Sequence, residues 1–349
     1  MKSTLRKLTN GLLLVGMGFA VYYAGPVAHA LLSGDRESKP LPTAPALANG
    51  PAGVEGNAYL QQALAALERR ESVVAKASQT GVIEGRTVES TGDYWQLGQG
   101  RDRQFQLKLQ GLVTDDPVRL LQVSNGKFLW TDLRWGEASD VQLRQIWRVD
   151  LRRLRKDLSD PQSDQVRPGE ASADNLDAGL WASLGGLPML LESLDANFRF
   201  ERPRQMLLRK TPVYAMVGFW REDQRETLLQ DSDTADTGLP SRLPHHVLVA
   251  IGASDLFPYR VEYRGADDPL SAAGLTADKR YGESGRPLLR LDLVQPRYDV
   301  SIPAEAFAYT LPEGVDWMDR TTERLEMLRR RREVAVAQAG GATSGARSR

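Results

Sequence analysis

Between Gly92 and Leu133 the chain reads GDYWQLGQGRDRQFQLKLQGLVTDDPVRLLQVSNGKFLWTDL, and its apolar spacing restricts the fold more than any other stretch. In QFQLKL, Phe105, Leu107 and Leu109 alternate with Gln104, Gln106 and Lys108, the period of a strand with one buried face. Asn125-Gly126 then separates two further strand-like runs and predicts a two-residue type I′ hairpin. The register that follows puts Ser124 opposite Lys127, Val123 opposite Phe128, Leu121 opposite Trp130 and Arg119 opposite Asp132. One face of the hairpin then carries Leu121, Val123, Phe128 and Trp130, and a one-residue slip would turn the whole set into water.

The rest of the chain extends this pattern. A helix is expected from Asn57, with that residue as N-cap and Leu60, Ala63, Leu64, Leu67 and Val74 as its apolar stripe. Strands are expected at Val82 to Ser90, Asp93 to Leu97, Arg103 to Leu112, Val118 to Ser124, Lys127 to Leu133 and Gln145 to Val149. Short turns between them make an antiparallel meander. Asp150 caps a basic helix, LRRLRKDL, whose arginines line a solvated face or grip an anion. In LWASLGGLPMLLESLDANFRF two apolar helices break at Gly185-Gly186, and Leu187, Leu190, Leu191 and Leu194 should lie across an apolar surface. Hairpins around Lys210 to Pro212 and between His246 and Arg264 follow, then a strand through Leu289, Leu291 and Leu293 that continues from Tyr298 to Ile302. About ten or eleven strands with few helices give an α+β fold: a strongly curved antiparallel half-barrel covered by helices.

At the amino terminus Lys2, Arg6 and Lys7 precede an apolar run from Gly11 to Gly25 and then Ala28-His29-Ala30, an export signal with cleavage expected after Ala30. An uncleaved anchor is the alternative. Domain organisation then reads as signal or anchor over 1–30, a Pro/Ala/Gly-rich linker over 31–56, the folded domain over 57–318, and a basic helix with a disordered tail over 319–349. The bulk of the chain is placed in the periplasm or cell envelope. With no cysteine it has neither disulfides nor a thiolate site, and its stability must rest on its core.

Little in the sequence points to catalysis. Formal net charge is zero, which gives nucleic acid no basic field to respond to, although the stretch from Arg320 onward is arginine-rich. That tail and the N-terminal segment are the candidate contacts with a membrane surface. Of the 3 histidines, His29 lies in the export signal and His245-His246 are adjacent, so in a strand they point to opposite faces. No G-x-S-x-G elbow or phosphate-cradling loop is present, and no cofactor is implied. Asp115-Asp116 and Asp267-Asp268 precede proline, which marks turns rather than a buried acid and base.

The order of elements resembles the LolA-like superfamily of periplasmic carriers. The likeness is carried by the export signal and first helix, GDYWQLGQGRDRQFQLKL, LLQVSNGKFLW, FPYRVEYR and IPAEAFAYTLPEGVDW. Asn125-Gly126 with Trp130 stands where that family has a D-G-x-x-x-W-like hairpin. Phe307, Tyr309, Pro312 and Gly314 stand in its closing aromatic segment, and coverage runs over about 57–317. The resemblance implies an eleven-stranded half-barrel closed by helices over an apolar cavity that holds lipid or lipoprotein acyl chains. By alternation Trp95, Phe105, Leu107, Leu109, Leu121, Val123, Phe128 and Trp130 are placed on the inner face as candidate ligand contacts. Two functions fit: a non-enzymatic carrier of amphiphiles, or an interaction module of the same fold that binds a membrane protein partner.

Overall fold

The computed structural model describes residues 55–83, 86–113, 116–136, 143–159, 178–222, 224–225, 244–266 and 285–326. The export signal, nearly all of the linker, the loops 160–177 and 231–242 and the tail beyond 326 lie outside them. No helix among the described residues is long and apolar enough to cross a membrane.

The fold is α+β, with one strongly curved, antiparallel-rich sheet of 13 strands and few helices. The strands are β1 (Ser72–Ile83), β2 (Arg86–Leu97), β3 (Gln104–Val113), β4 (Asp116–Ser124), β5 (Phe128–Trp135), β6 (Leu143–Asp150) and β7 (Phe198–Phe200). There follow β8 (Arg204–Leu208), β9 (Thr211–Trp220), β10 (His246–Gly252), β11 (Pro258–Arg264), β12 (Pro287–Tyr298) and β13 (Met318–Asp319). Their spatial order is β13-β6-β5-β4-β3-β2-β1-β12-β11-β10-β9-β7, with β8 also on β9. β1 and β12 join the two meanders at the middle of the sheet, and only the short β13 runs parallel to its neighbour, β6.

Helices α1 (Gly56–Glu68) and α3 (Ala178–Asn197) lie on one face of this sheet. α1 buries Leu60, Ala63 and Leu67 as its apolar period requires, together with Tyr59 and Ala66. It stops at Glu68, and Val74, expected on its stripe, belongs to β1 instead. Residue 55 caps the helix; Asn57 sits inside it, where its side chain binds Phe198 O (2.9 Å) and accepts from Phe200 N (2.9 Å). Helix α2 (Leu151–Ser159) begins as expected, with Asp150 Oδ1 accepting from the amides of Arg152 and Arg153, both at 3.0 Å.

The hairpin at Asn125 differs from its expected register by two residues. Asn125 Oδ1 accepts from Lys127 N and Phe128 N, and Asn125 N donates to Phe128 O, so Gly126 and Lys127 form the loop. Val123 therefore faces Trp130 and Leu121 faces Asp132. A shift of two keeps each residue on its face, so the four apolar residues of the hairpin still share one side. Only Gly126 of the loop has positive φ (80°), so the turn is not type I′.

Two further departures concern strand ends. The β8–β9 loop is Arg209-Lys210, one residue earlier than expected, and both residues have positive φ. After Tyr298 the chain leaves the sheet rather than continuing to Ile302.

It then returns to the fold. The 3₁₀ turn Ala304–Phe307 and the segment after it cross the face of the sheet opposite the helices, where Gln106 Nε2 donates to Ala306 O (2.5 Å) and Phe307 is buried. β13 then extends the β6 edge. Residues 321–326 are helical and put Leu325 into the main core.

Gly126 links conformation to space at this junction, because a Cβ there would stand 2.6 Å from Asp102 O as well as requiring positive φ. Gly126→Ala is expected to destabilise the fold by about 2 kcal/mol in urea denaturation, with an unchanged m-value.

Candidate functional site

Directly opposed residues in an antiparallel sheet share a face, so the pairing assigns every side chain. Leu107 faces Tyr94 on β2 and Gln122 on β4, and Gln122 faces Thr131, which faces Trp147. On the next rung Phe105 faces Gln96 and Ser124, and Leu129 and Val149 complete it. Leu109 faces Gly92 and Leu120, with Leu133 beyond. This inner face continues through Val73, Ala75 and Ala77 to Leu291, Leu293, Val261, Val249 and Met216, and α1 and α3 pack on it as one buried cluster. Burying an apolar side chain of this size contributes about 1.5–3 kcal/mol.

The eight residues placed on one inner face by alternation fall on two. Phe105, Leu107 and Leu109 lie in the core beneath the helices, each no more than 2% exposed. Trp95, Leu121, Val123, Phe128 and Trp130 lie on the opposite face, because Trp95 and Val123 both pair with Gln106 and Leu121 pairs with Lys108. Tyr94 occupies the inner position assigned to Trp95, and Leu120, Leu129 and Leu133 those assigned to the hairpin residues. The pairing of Leu109 with Leu120 separates the faces.

α3 is not one continuous helix. Gly186 has φ 74° and ψ −159°, and Pro188 follows, so the second half starts afresh at Leu187. Its Leu187 N–H donates to the Tyr94 hydroxyl Oη (3.0 Å), and the same hydroxyl donates to Gln96 Oε1 (2.8 Å). A Cβ on Gly186 would stand 2.6 Å from that oxygen and 3.4 Å from the Phe105 ring. The break therefore rests directly on the sheet. Burial and the apolar surroundings push the Tyr94 hydroxyl far above its ordinary range, so it serves as a neutral hydrogen-bond relay.

At its other end α3 is bound more firmly. Asp195 accepts from Asn57 Nδ2 (2.7 Å) and Gln61 Nε2 (3.1 Å), and its carbonyl accepts from the Arg221 guanidinium at 3.0 and 3.2 Å. The helical cover is thus tied at Asp195 by several polar contacts. At the Gly186 break, among the described residues, it is tied by one.

The opposite face of β3–β6 is covered by the C-terminal segment. Tyr309 stacks on Trp130 with centroids 5.1 Å apart, Trp317 meets it edge-on at 5.4 Å, and the Arg148 guanidinium lies 4.6 Å from Trp317. Asp132 is buried under this cover. Burial alone would raise its carboxyl, but the hydrogen bonds from Arg144 (2.5 Å) and Arg134 (3.1 Å) outweigh that and hold it below the usual carboxylate range. Tyr309 also donates to it at 3.1 Å.

No family model matches the sequence, and no curated protein matches it. Solved structures with a similar path include a DUF1329 family protein from Desulfovibrio piger, at 10% identity and a TM-score of 0.26, covering 73% of this chain and 96% of that one. A putative outer membrane lipoprotein-sorting protein domain from Vibrio parahaemolyticus aligns at 11% identity and 0.27, covering 72% and 95%. A LolA superfamily protein from Nitrosomonas europaea aligns at 13% identity and 0.22, covering 74% and 99%. Likeness at this level assigns neither ligand nor activity to the chain.

Two outcomes follow from these contacts. Tyr94→Phe removes the acceptor for Leu187 N–H and should speed hydrogen exchange over Leu187 to Leu194 while costing about 1–3 kcal/mol of stability. Asp132 contributes stability that is present above its unfolded value of about 3.9 and lost as pH falls through its lower folded value. Asp132→Asn, leaving two arginines without their carboxylate, should cost about 3 kcal/mol at pH 7 and flatten the acid limb of a urea-midpoint profile.

Proposed function

We propose that the protein is a non-enzymatic binding protein of the cell envelope that takes up acyl chains, free or as part of a lipoprotein or another amphiphile, between the inner face of its sheet and the helical cover. The observation that carries this reading is the union of a largely apolar inner face with a cover that is firmly bound at Asp195 and held at its break by the Leu187–Tyr94 hydrogen bond. Lifting the break end of α3 away from the sheet, with the helix still anchored at Asp195, exposes Phe105, Leu107, Leu109 and Leu120, an apolar bed for hydrocarbon. Each methylene transferred there from water contributes about 0.8 kcal/mol, so a chain of lipid length binds without specific chemistry.

The titrating groups are consistent with a non-catalytic role. Asp132 is bound by two arginines, and the raised tyrosines Tyr259 and Tyr298 donate to Asp255. Each of these contacts braces the fold.

The opposite face supports the second reading. Trp317 and Met318 are 38% and 45% exposed beside Arg148 at the β6–β13 edge, a pairing of apolar and cationic groups suited to a protein partner. Native mass spectrometry with lipid extraction, on the full chain purified from a bacterial envelope, separates the two. Co-purifying phospholipid or acylated peptide is the expected result. A clean apo mass that stays unchanged on adding lipid overturns the carrier reading in favour of the interaction module.

A further inference from the structure

The inner face is not uniformly apolar where the break in α3 rests on it. Gln96, Gln122 and Thr131 sit on two neighbouring rungs there, 0%, 5% and 1% exposed. Among the described residues, Gln96 Nε2, Gln122 Oε1 and Thr131 Oγ1 have no hydrogen-bond partner. Buried polar side chains are nearly always paired, and leucine or valine at these positions would spare the fold their desolvation. Three unpaired atoms on one patch, in a largely apolar core, call for a polar group brought in from outside.

The arrangement indicates what kind. Gln96 offers a donor on β2, Gln122 an acceptor on β4, and Thr131 a hydroxyl of either sense on β5. Strands two apart are separated by about 10 Å, with β3 between them. A single hydroxyl oxygen lying near one glutamine cannot also serve the other. A secondary amide presents its C=O and N–H in opposite directions and suits a donor on one side with an acceptor on the other. We infer that this patch recognises the amide linkage of an N-acylated amphiphile whose hydrocarbon lies along Phe105, Leu107 and Leu109. The inference rests on the carrier reading above and adds a specificity that an apolar bed alone does not have. Displacing the break in α3 also frees the Tyr94 hydroxyl beside Gln96, which places a further polar group at the same spot.

The test uses the full chain and two ligands of equal chain length, N-palmitoylglycine and nonadecanoic acid, in which methylenes replace the amide. Calorimetric titration should give roughly tenfold tighter binding of N-palmitoylglycine. Gln122→Leu and Thr131→Val, each removing an unpaired atom with little change of shape, should abolish that preference. Displacement of the bound N-palmitoylglycine by a palmitoylated tetrapeptide or by a ceramide of equal acyl length then distinguishes a peptide from a lipid source of the amide. Equal affinities in the unaltered protein, or variants that raise Tm and keep the preference, overturn the inference and leave the carrier reading standing. Binding of neither ligand overturns both.

Discussion

The pairing of Leu109 with Leu120 across β3 and β4 decides what every strand from β4 to β6 presents to the helices. Side chains alternate with a period of two, so this single register transmits its parity through β5 and β6. It sends Leu120, Gln122, Leu129, Thr131 and Trp147 inward and Val123, Trp130, Asp132 and Arg148 outward. The inner set becomes the bed beneath α1 and α3. The outer set becomes the floor on which residues 304–319 lie.

That outer cover explains how a sheet can carry Trp130, Val123 and Ile146 on the side away from its helices. The chain returns after β12, buries Phe307, stacks Tyr309 on Trp130 and adds β13 to the β6 edge. An edge strand that would otherwise present free backbone groups is thereby partly paired. The same return brings Tyr309 to Asp132 and its two arginines, so the cover is fixed by a buried charge as well as by aromatic contact. The inner cover has a different balance: apolar contact nearly everywhere, polar ties at Asp195, and one hydrogen bond at the Gly186 break. An element held mainly by non-directional contact, anchored at one end and broken at a glycine at the other, is the one suited to move.

Much of the fold was legible from residue patterns. Alternation in QFQLKL gave β3 its buried face, Asp150 gave the start of α2, and Gly185-Gly186 before Pro188 gave the break in α3 with Leu187, Leu190, Leu191 and Leu194 inward. The candidate site was only half legible. Leu120-Leu121 and Leu129-Trp130 put large apolar residues on both parities, so periodicity inside β4 and β5 could not say which side met the helices. Nothing local to the closing segment, rich in Pro, Glu and Ala, announces that it will cover a second face. Its burial arises from contacts nearly two hundred residues distant in sequence, such as that between Gln106 and Ala306. β1 was missed for a related reason. Ser72 to Thr80 is short of large apolar residues because Ala75 and Ala77 lie where the sheet is closely covered, and a small-residue strand resembles the end of a helix.

The proposed entry of hydrocarbon between the inner face and α3 is open to a direct test. Photo-cross-linking with a fatty acid carrying a diazirine near its methyl end, followed by peptide mapping, addresses it directly. Label is expected on β3 between Gln104 and Val113 and on the second half of α3 between Leu187 and Asn197. Label confined to Trp130, Tyr309 and Trp317 on the outer face would contradict it.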